Sequence, residues 1–254
     1  MTGSGPRLAL VGAEVLAVPK SATEPSEDAA ALDPARGLIA VSDGATRALA
    51  SGPWARCLVR RFVARPPEGF DAPALRGWVR AAAEEWSQCV RLSPQAPPYL
   101  WDAVERGSYA TLLGLVAEPA PPGADTLRWK AVAVGDTCLV ALRADAPTLS
   151  FPLHRPEQFT SAPALLPTSA TALPDAVTAA RVTTGAGAAG DDLLVMTDAL
   201  ARWALTETAH GPHVWRFLRR CDAADLTAKV RALWRRGELE EDDITLARCR
   251  VARV

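Results

Sequence analysis

The chain is short of the residues that several large function classes depend on. It has only three histidines in 254 residues, His154, His210 and His213. None lies beside an acidic motif, so a histidine-rich metal site finds no ligands in register. His210 and His213 sit three apart around Gly211-Pro212, and that pair reads as a solvated loop at a helix start. The five cysteines, Cys57, Cys89, Cys138, Cys221 and Cys249, are scattered, odd in number and without a Cys-x-x-Cys pair. This excludes a zinc knuckle and a disulfide framework; reduced, buried thiols in a cytoplasmic protein are the expectation. No apolar run approaches the ~20 residues of a membrane span. The apolar stretch 8–18 after Arg7 is interrupted by Gly12 and Glu14 and reads as a strand, not a signal peptide. Excess charge is also missing: the formal net charge is −1. Nucleic acids and anionic membranes select for basic patches, so neither is an expected partner. There is no Gly-x-Ser-x-Gly elbow for a catalytic serine. The glycine-rich segment 184–190 lacks the Lys-Ser/Thr of a P-loop and reads as a turn between strands.

What the chain does have is apolar runs that end or begin in acids. Half of it is apolar, enough for a sizeable core. The run Leu38-Ile39-Ala40-Val41-Ser42 ends in Asp43-Gly44, and Leu193-Leu194-Val195-Met196-Thr197 ends in Asp198. Glu241-Asp242-Asp243 opens a third run, Ile244-Thr245-Leu246. Continuous apolar runs of this length read as strands buried on both faces. The acids then emerge at the sheet rims. A carboxylate beside a carbonyl that no Cβ crowds suits a hard cation. One Ser-Asp-Gly is an ordinary turn; its recurrence points to an assembled site.

Helices are expected from Ser51-Gly52-Pro53, with Trp54, Cys57, Leu58 and Phe62 on one face, and over 73–90 behind Asp71 as cap. A helical turn is expected at 101–106. Strands are expected at 109–117, 127–134 and 137–143, with Gly135-Asp136 as the hairpin turn between the last two. Segment 20–31 reads as a polar loop. Segment 149–174, rich in Pro, Ala, Ser and Thr, reads as an irregular surface loop and a candidate flap. Further strands are expected at 177–184, 193–197 and 244–254. Helices should start at Asp198, run over 214–220, and follow a cap at Asp222 or Asp225. Grouped strands and helices favour α+β with antiparallel sheets over a doubly wound fold, and no domain boundary is visible within 1–254.

Five segments in this order resemble the metal-dependent serine/threonine phosphatases of the PP2C (PPM) type. They are Glu27-Asp28, Val41-Ser42-Asp43-Gly44, Gly107-Ser108-Tyr109-Ala110-Thr111 followed by Gly135-Asp136-Thr137, Leu193-Leu194-Val195-Met196-Thr197-Asp198-Ala199, and Asp242-Asp243-Ile244-Thr245. The resemblance implies a four-layer α-β-β-α sandwich of two antiparallel sheets flanked by helices. It also implies two Mn²⁺ or Mg²⁺ ions at one end, with a third in some members. Asp43 would bridge both metals and the Gly44 carbonyl would ligate one. Asp198 and Asp242 would hold the other, and Glu27 would act through water, with Asp28 nearby. Asp43, Asp198 and Asp242 are thus the implied catalytic set. For the third ion Glu105 is the nearest candidate and Asp102 the next. The family's phosphate-binding arginine has no obvious match; Lys20, Arg36 and Arg47 are the alternatives. Ala45-Thr46-Arg47 replaces the usual x-Gly-Gly, Ala199 replaces a glycine and Asp243 an asparagine, all without removing a carboxylate.

The chemistry fits the composition. Two divalent ions lower the pKa of a shared water and neutralise phosphoryl charge, and oxygen ligands suffice. The carboxylates of Asp43, Asp198 and Asp242 would then fit a patch about 7–8 Å across. The implied function is hydrolysis of phosphoserine or phosphothreonine in a phosphorylated protein substrate. A catalytically weak phosphatase-fold regulatory or binding module is the alternative, and a small-molecule phosphoester is a third reading.

Overall fold

The computed structural model describes residues 6–45, 48, 50–90, 95, 97, 102–104 and 106–254. Twelve strands are described: β1 (Leu8–Val18), β2 (Ala29–Asp33), β3 (Leu38–Ser42), β4 (Tyr109–Ala110), β5 (Leu112–Ala117), β6 (Leu127–Val134), β7 (Cys138–Arg143), β8 (Ala146–Phe151), β9 (Leu166–Pro167), β10 (Arg181–Gly187), β11 (Asp192–Met196) and β12 (Ile244–Arg253). They form two five-stranded sheets, β1-β12-β11-β7-β8 and β10-β6-β5-β3-β2, and a small β4-β9 pair. Every pairing is antiparallel.

Strand alternation builds the layers. In β3, Ile39 and Val41 face the other sheet, while Leu38 and Ala40 face helices α1 (Ser51–Ala64) and α2 (Ala72–Cys89). In β11, Leu193 and Val195 join the same inter-sheet layer. Leu194 and Met196 face α4 (Asp198–Glu207), α5 (His213–Arg220) and α6 (Ala223–Arg236). The short α3 (Leu173–Thr178) adds Leu173 and Val177 to the α1–α2 side. Both faces of the central strands are therefore buried, which is why their sequences are unbroken apolar runs. The order helix, sheet, sheet, helix is the expected four-layer sandwich. β1 serves two layers: Leu8 and Leu10 enter the inter-sheet core, whereas Leu16 and Val18 enter the outer one. The pairing with β12 slips between Val11 and Glu14, with Gly12 at φ 59°, and one extra residue turns the strand over.

Local signals set the helix starts. Asp71 accepts from the Ala74 N–H at 2.9 Å, and Asp222 and Asp225 cap α6 reciprocally. Four expectations need correction. Segment 20–31 is not all loop, because Ala29–Asp33 pairs along β3; its alanines carry little strand propensity, and the partner strand decides. Segment 149–174 is ordered: it holds the end of edge strand β8, the 3₁₀ turn Pro156–Gln158, β9 and the start of α3. Pro147 is tolerated in β8 because that strand lies at a sheet edge. The strand expected from 177 begins only at Arg181, since Val177 belongs to α3. The strand expected over 109–117 breaks at Thr111 into β4 and β5. Of the expected turn at 101–106, residues 102–104 and 106 are helical, and Trp101 and Glu105 lie outside the described residues. No helix among the described residues is long and apolar enough to cross a membrane.

Candidate functional site

β3 delivers Asp43 to the rim of its sheet, and Thr111 fixes it there. The Asp43 N–H donates to Thr111 Oγ1 at 2.9 Å, and the Thr111 N–H donates back to the Asp43 carbonyl at 2.8 Å. The Ser42 hydroxyl donates to the Thr111 carbonyl at 2.5 Å. Thr111 Oγ1 also shares a hydrogen bond with Thr137 Oγ1 at 2.7 Å. One buried threonine thus ties β3 to the β6–β7 turn, and its side-chain role explains why the strand breaks there. That turn carries Asp136. Gly135 opens it at φ 102°, where a Cβ would meet Thr111 Cγ2 at 2.6 Å. Gly44 is equally constrained: a Cβ would lie 2.7 Å from the Ser51 carbonyl carbon and 2.9 Å from the Glu27 oxygen. Its bridge to Ala110 is flanked by the Ala45–Tyr109 and Thr111–Asp43 bonds, so its own carbonyl points away from Ala110.

The second sheet presents Asp198 at the start of α4, its Oδ1 accepting from the Ala199 N–H at 2.6 Å. Thr197 and Thr245 lock the ends of β11 and β12 through mutual bonds of 3.0 and 3.1 Å. Asp243, only 4% exposed, accepts from the backbone N–H of Lys20 and of Glu27, both at 2.9 Å. That clamp brings segment 20–27 against the start of β12. Lys20 Nζ then sits 2.9 Å from Asp242 Oδ1 and 3.1 Å from Glu27 Oε2. Ser51 donates to the other Glu27 oxygen at 2.6 Å.

Asp43, Asp136 and Asp198 line a cleft of about 880 Å³, with Thr111 and Arg202; Phe159, Pro163 and Leu165 of the 149–174 segment form a wall. Asp28 is buried with neither carboxyl oxygen in a well-formed hydrogen bond, although the Thr197 and Thr245 hydroxyls are near. Asp136 Oδ1 is also buried and unpartnered. Electrostatics follow from this crowding. Burial pushes the Asp43 carboxyl well above its ordinary value, and Asp28, Asp198, Asp242 and Asp136 push it further. Burial raises Asp28 strongly, and the charges of Asp243 and Asp198 add to it. Burial and then Asp198 raise Asp136 to about 7. Asp198 is raised to about 6, chiefly by burial, against the Ala199 N–H. Partial burial alone would lower Lys20, but bonds and charge from Asp242 and Glu27 outweigh it and hold it above the usual lysine range.

The structure groups Asp43 and Asp198 on the cleft and Glu27 and Asp242 around Lys20. Among the described residues no three acid, imidazole or thiol side chains stand close enough to hold an ion unaided. The compact patch expected for Asp43, Asp198 and Asp242 is therefore not assembled: Asp242 does not line the cleft and is paired with Lys20 instead. Of the other residues weighed, Asp102 is exposed and does not line the cleft. Arg36 binds the Val63 carbonyl at the opposite end of β3 from Asp43, and Arg47 and Glu105 lie outside the described residues. Two cleft residues had been given no role by sequence reasoning. Asp136 stands in the sequence as a hairpin turn and within a family-like segment, with no role assigned, and Arg202 carries no motif.

The donor set suits hard divalent cations: carboxyls pushed up by burial and then by one another, buried acceptors without partners, and no sulfur or imidazole among the residues that line the cleft. Residues 20–234 match the family model described as protein phosphatase 2C. No curated protein matches the chain in sequence at a significant level. Among solved structures, the serine/threonine phosphatase PstP/Ppp of Mycobacterium tuberculosis is similar with a TM-score of 0.60 at 17% identity, covering 96% of this chain and 99% of that one. A PstP catalytic domain in complex with two manganese ions gives 0.56 at 17% identity over the same shares. PppA, a regulatory component of type VI secretion in Pseudomonas aeruginosa, gives 0.55 at 19% identity, again over 96% and 99%. At such identity these structures speak for the fold; the family match, which spans most of the sequence, goes further, and the chain belongs to the protein phosphatase 2C family.

Proposed function

We propose that the chain, as one domain over 1–254, hydrolyses phosphoserine or phosphothreonine in protein substrates with two Mn²⁺ or Mg²⁺ ions. The observation that carries this reading is the cleft where Asp43, Asp136 and Asp198 converge with their carboxyls pushed up by burial and by one another. Such a cluster is unfavourable on its own and is relieved by cations. Asp43, Asp198 and Asp242, with Glu27 and the Gly44 carbonyl, would hold the ions. Bound there, the ions would supply an activated water near neutral pH and neutralise phosphoryl charge. The chain's own part is positioning. Thr111 holds the Asp43 backbone, Asp243 holds Glu27 beside Asp242, and the 149–174 segment walls the cleft against bulk water. The partly exposed Asp43 and Asp198 leave a route for a phosphorylated side chain.

A second reading, a phosphatase-fold binding module without turnover, is favoured by one observation: Lys20 already neutralises Glu27 and Asp242. Hydrolysis of a phosphothreonine peptide with and without Mn²⁺ separates the two. Turnover that needs Mn²⁺ and stops with a chelator supports the enzyme. No turnover with any divalent ion leaves the binding module.

A further inference from the structure

A phosphomonoester is a dianion, and the cleft that would receive it is lined by four carboxylates, Asp43, Asp136, Asp198 and Glu240. Ions neutralise those acids, but the substrate also needs a protein cation that reads the phosphoryl group's shape. Lys20 is poorly placed for that task. Its ammonium is held by Asp242 and Glu27 at 2.9 and 3.1 Å, and its backbone N–H is held by Asp243. Arg36 sits at the far end of β3.

Arg202 is the one cationic side chain among the described residues that line the cleft. It lies one helical turn after Asp198 in α4, so the two project from the same face of that helix. Its ion-pair partner among the described residues is Glu240, at 3.6 Å, with the two side chains 54% and 65% exposed. A long pair so open to water contributes little and is easily exchanged. Guanidinium offers a planar fork of donors that matches two phosphoryl oxygens, which an ammonium does not. Arg202 also stands where the cleft meets a second groove of about 530 Å³, beside Trp203 and Thr206. That groove, which carries Glu207, Glu238 and Glu240 but none of the three cleft aspartates, gives the chain bearing the phosphate a path away from Asp43, Asp136 and Asp198.

We propose that Arg202 is the phosphate-recognising residue of this cleft: its guanidinium leaves Glu240 and takes two phosphoryl oxygens, while Asp198 on the preceding turn faces the metal side. The inference rests on the phosphatase reading, and it replaces the missing arginine of the motif with one from a different element. Glu240 then acts as a resident competitor that keeps the guanidinium at the cleft mouth until a dianion arrives.

The test uses the Mn²⁺-saturated protein and two readouts, calorimetric binding of inorganic phosphate and the KM and kcat for a phosphothreonine peptide. Arg202→Gln should weaken phosphate binding and raise KM about tenfold or more, the size of one lost charge-assisted contact, with a smaller change in kcat. Arg202→Lys should recover part of the phosphate affinity. Glu240→Gln should tighten phosphate binding, because the competitor is gone. Melting curves check that each variant is folded; both side chains are solvent-exposed, so none should lose its transition. Arg202→Gln with unaltered phosphate affinity and KM overturns the inference, as does the same loss appearing in Lys20→Met instead. A wild-type protein that binds phosphate through Arg202 but does not turn over sustains the inference and removes the phosphatase reading. One that turns over while Arg202→Gln behaves as wild type does the reverse.

Discussion

Replacing Asp136 by Asn should stabilise the metal-free protein at pH 8 and leave it nearly unchanged at pH 4.5. Asp136 is 5% exposed, its Oδ1 has no hydrogen-bond donor, and burial with the nearby Asp198 charge raises it from 3.8 to about 7. A raised carboxylate binds its proton more tightly in the folded than in the unfolded chain. The folded state is therefore favoured at low pH, and that advantage is lost as pH rises from about 4 to about 7. The full gap corresponds to about 4 kcal/mol if Asp136 titrated alone. It titrates with Asp198 and Asp43, so part of the relief goes to the neighbours and roughly 2 kcal/mol should remain visible. For a domain of this size that is a rise of about 4–8 °C in Tm. The assay is urea unfolding of wild type and variant with chelator present, at both pH values. A variant that is destabilised at pH 8, or a difference that is the same at both pH values, refutes the reasoning and makes Asp136 a structural acceptor. Saturating Mn²⁺ should stabilise both proteins by mass action, because the residues proposed to hold the ions are intact in the variant.

Asp43→Asn should abolish Mn²⁺-dependent hydrolysis while leaving the metal-free protein as stable as wild type or more so, read by turnover and by melting with chelator; an unfolded variant would assign Asp43 a structural role. Lys20→Met strips the counter-charge from Glu27 and Asp242, so the metal-free protein should lose about 1.5–3 kcal/mol. The Mn²⁺ concentration that half-saturates the thermal shift should fall; an unchanged or higher midpoint would show that Lys20 does not compete for those acids. Thr111→Val keeps the volume but leaves the Asp43 N–H and the Thr137 hydroxyl without their partner, at a cost of about 1–3 kcal/mol. Chemical unfolding of this variant should also show weaker Mn²⁺ protection, and full protection would mean that Asp43 is held in place by other contacts.

The parts of the fold legible in sequence were those whose environment is uniform along the element. Leu38–Ser42 and Asp192–Met196 are buried on both faces, so each is an unbroken apolar run with an acid at or beside its end. Helices with a capping aspartate, as at Asp71 and Asp222, declared their starts. What stayed hidden depended on partners far away in sequence. The alanines of β2 become a strand because β3 lies beside them, and β8 is an edge with a proline in it. In the candidate site the acids were visible as residue types, but their counter-charges were not. That Lys20 would bridge Glu27 and Asp242 follows from Asp243, which sequence reasoning treated only as a replaced asparagine. Asp136 stood in a family-like segment but without a role, because nothing local distinguishes a turn aspartate from one that lines a cleft.

The Asp243 clamp also decides when such a site can exist. Its two backbone partners are 223 and 216 residues away along the chain. Closing loops of that length is opposed by chain entropy and is offset only by the layers that form between them. No short segment of the sequence contains both Glu27 and Asp242, and no subset of strands without β12 can bring them together. The hydrophobic layers assemble from pairs such as β5–β6 and β7–β8, which are near neighbours in sequence. By contact order, those layers are expected to form before the cluster of repelling carboxylates closes. Capture of a divalent ion between these two acids would report the completed fold, not any part of it.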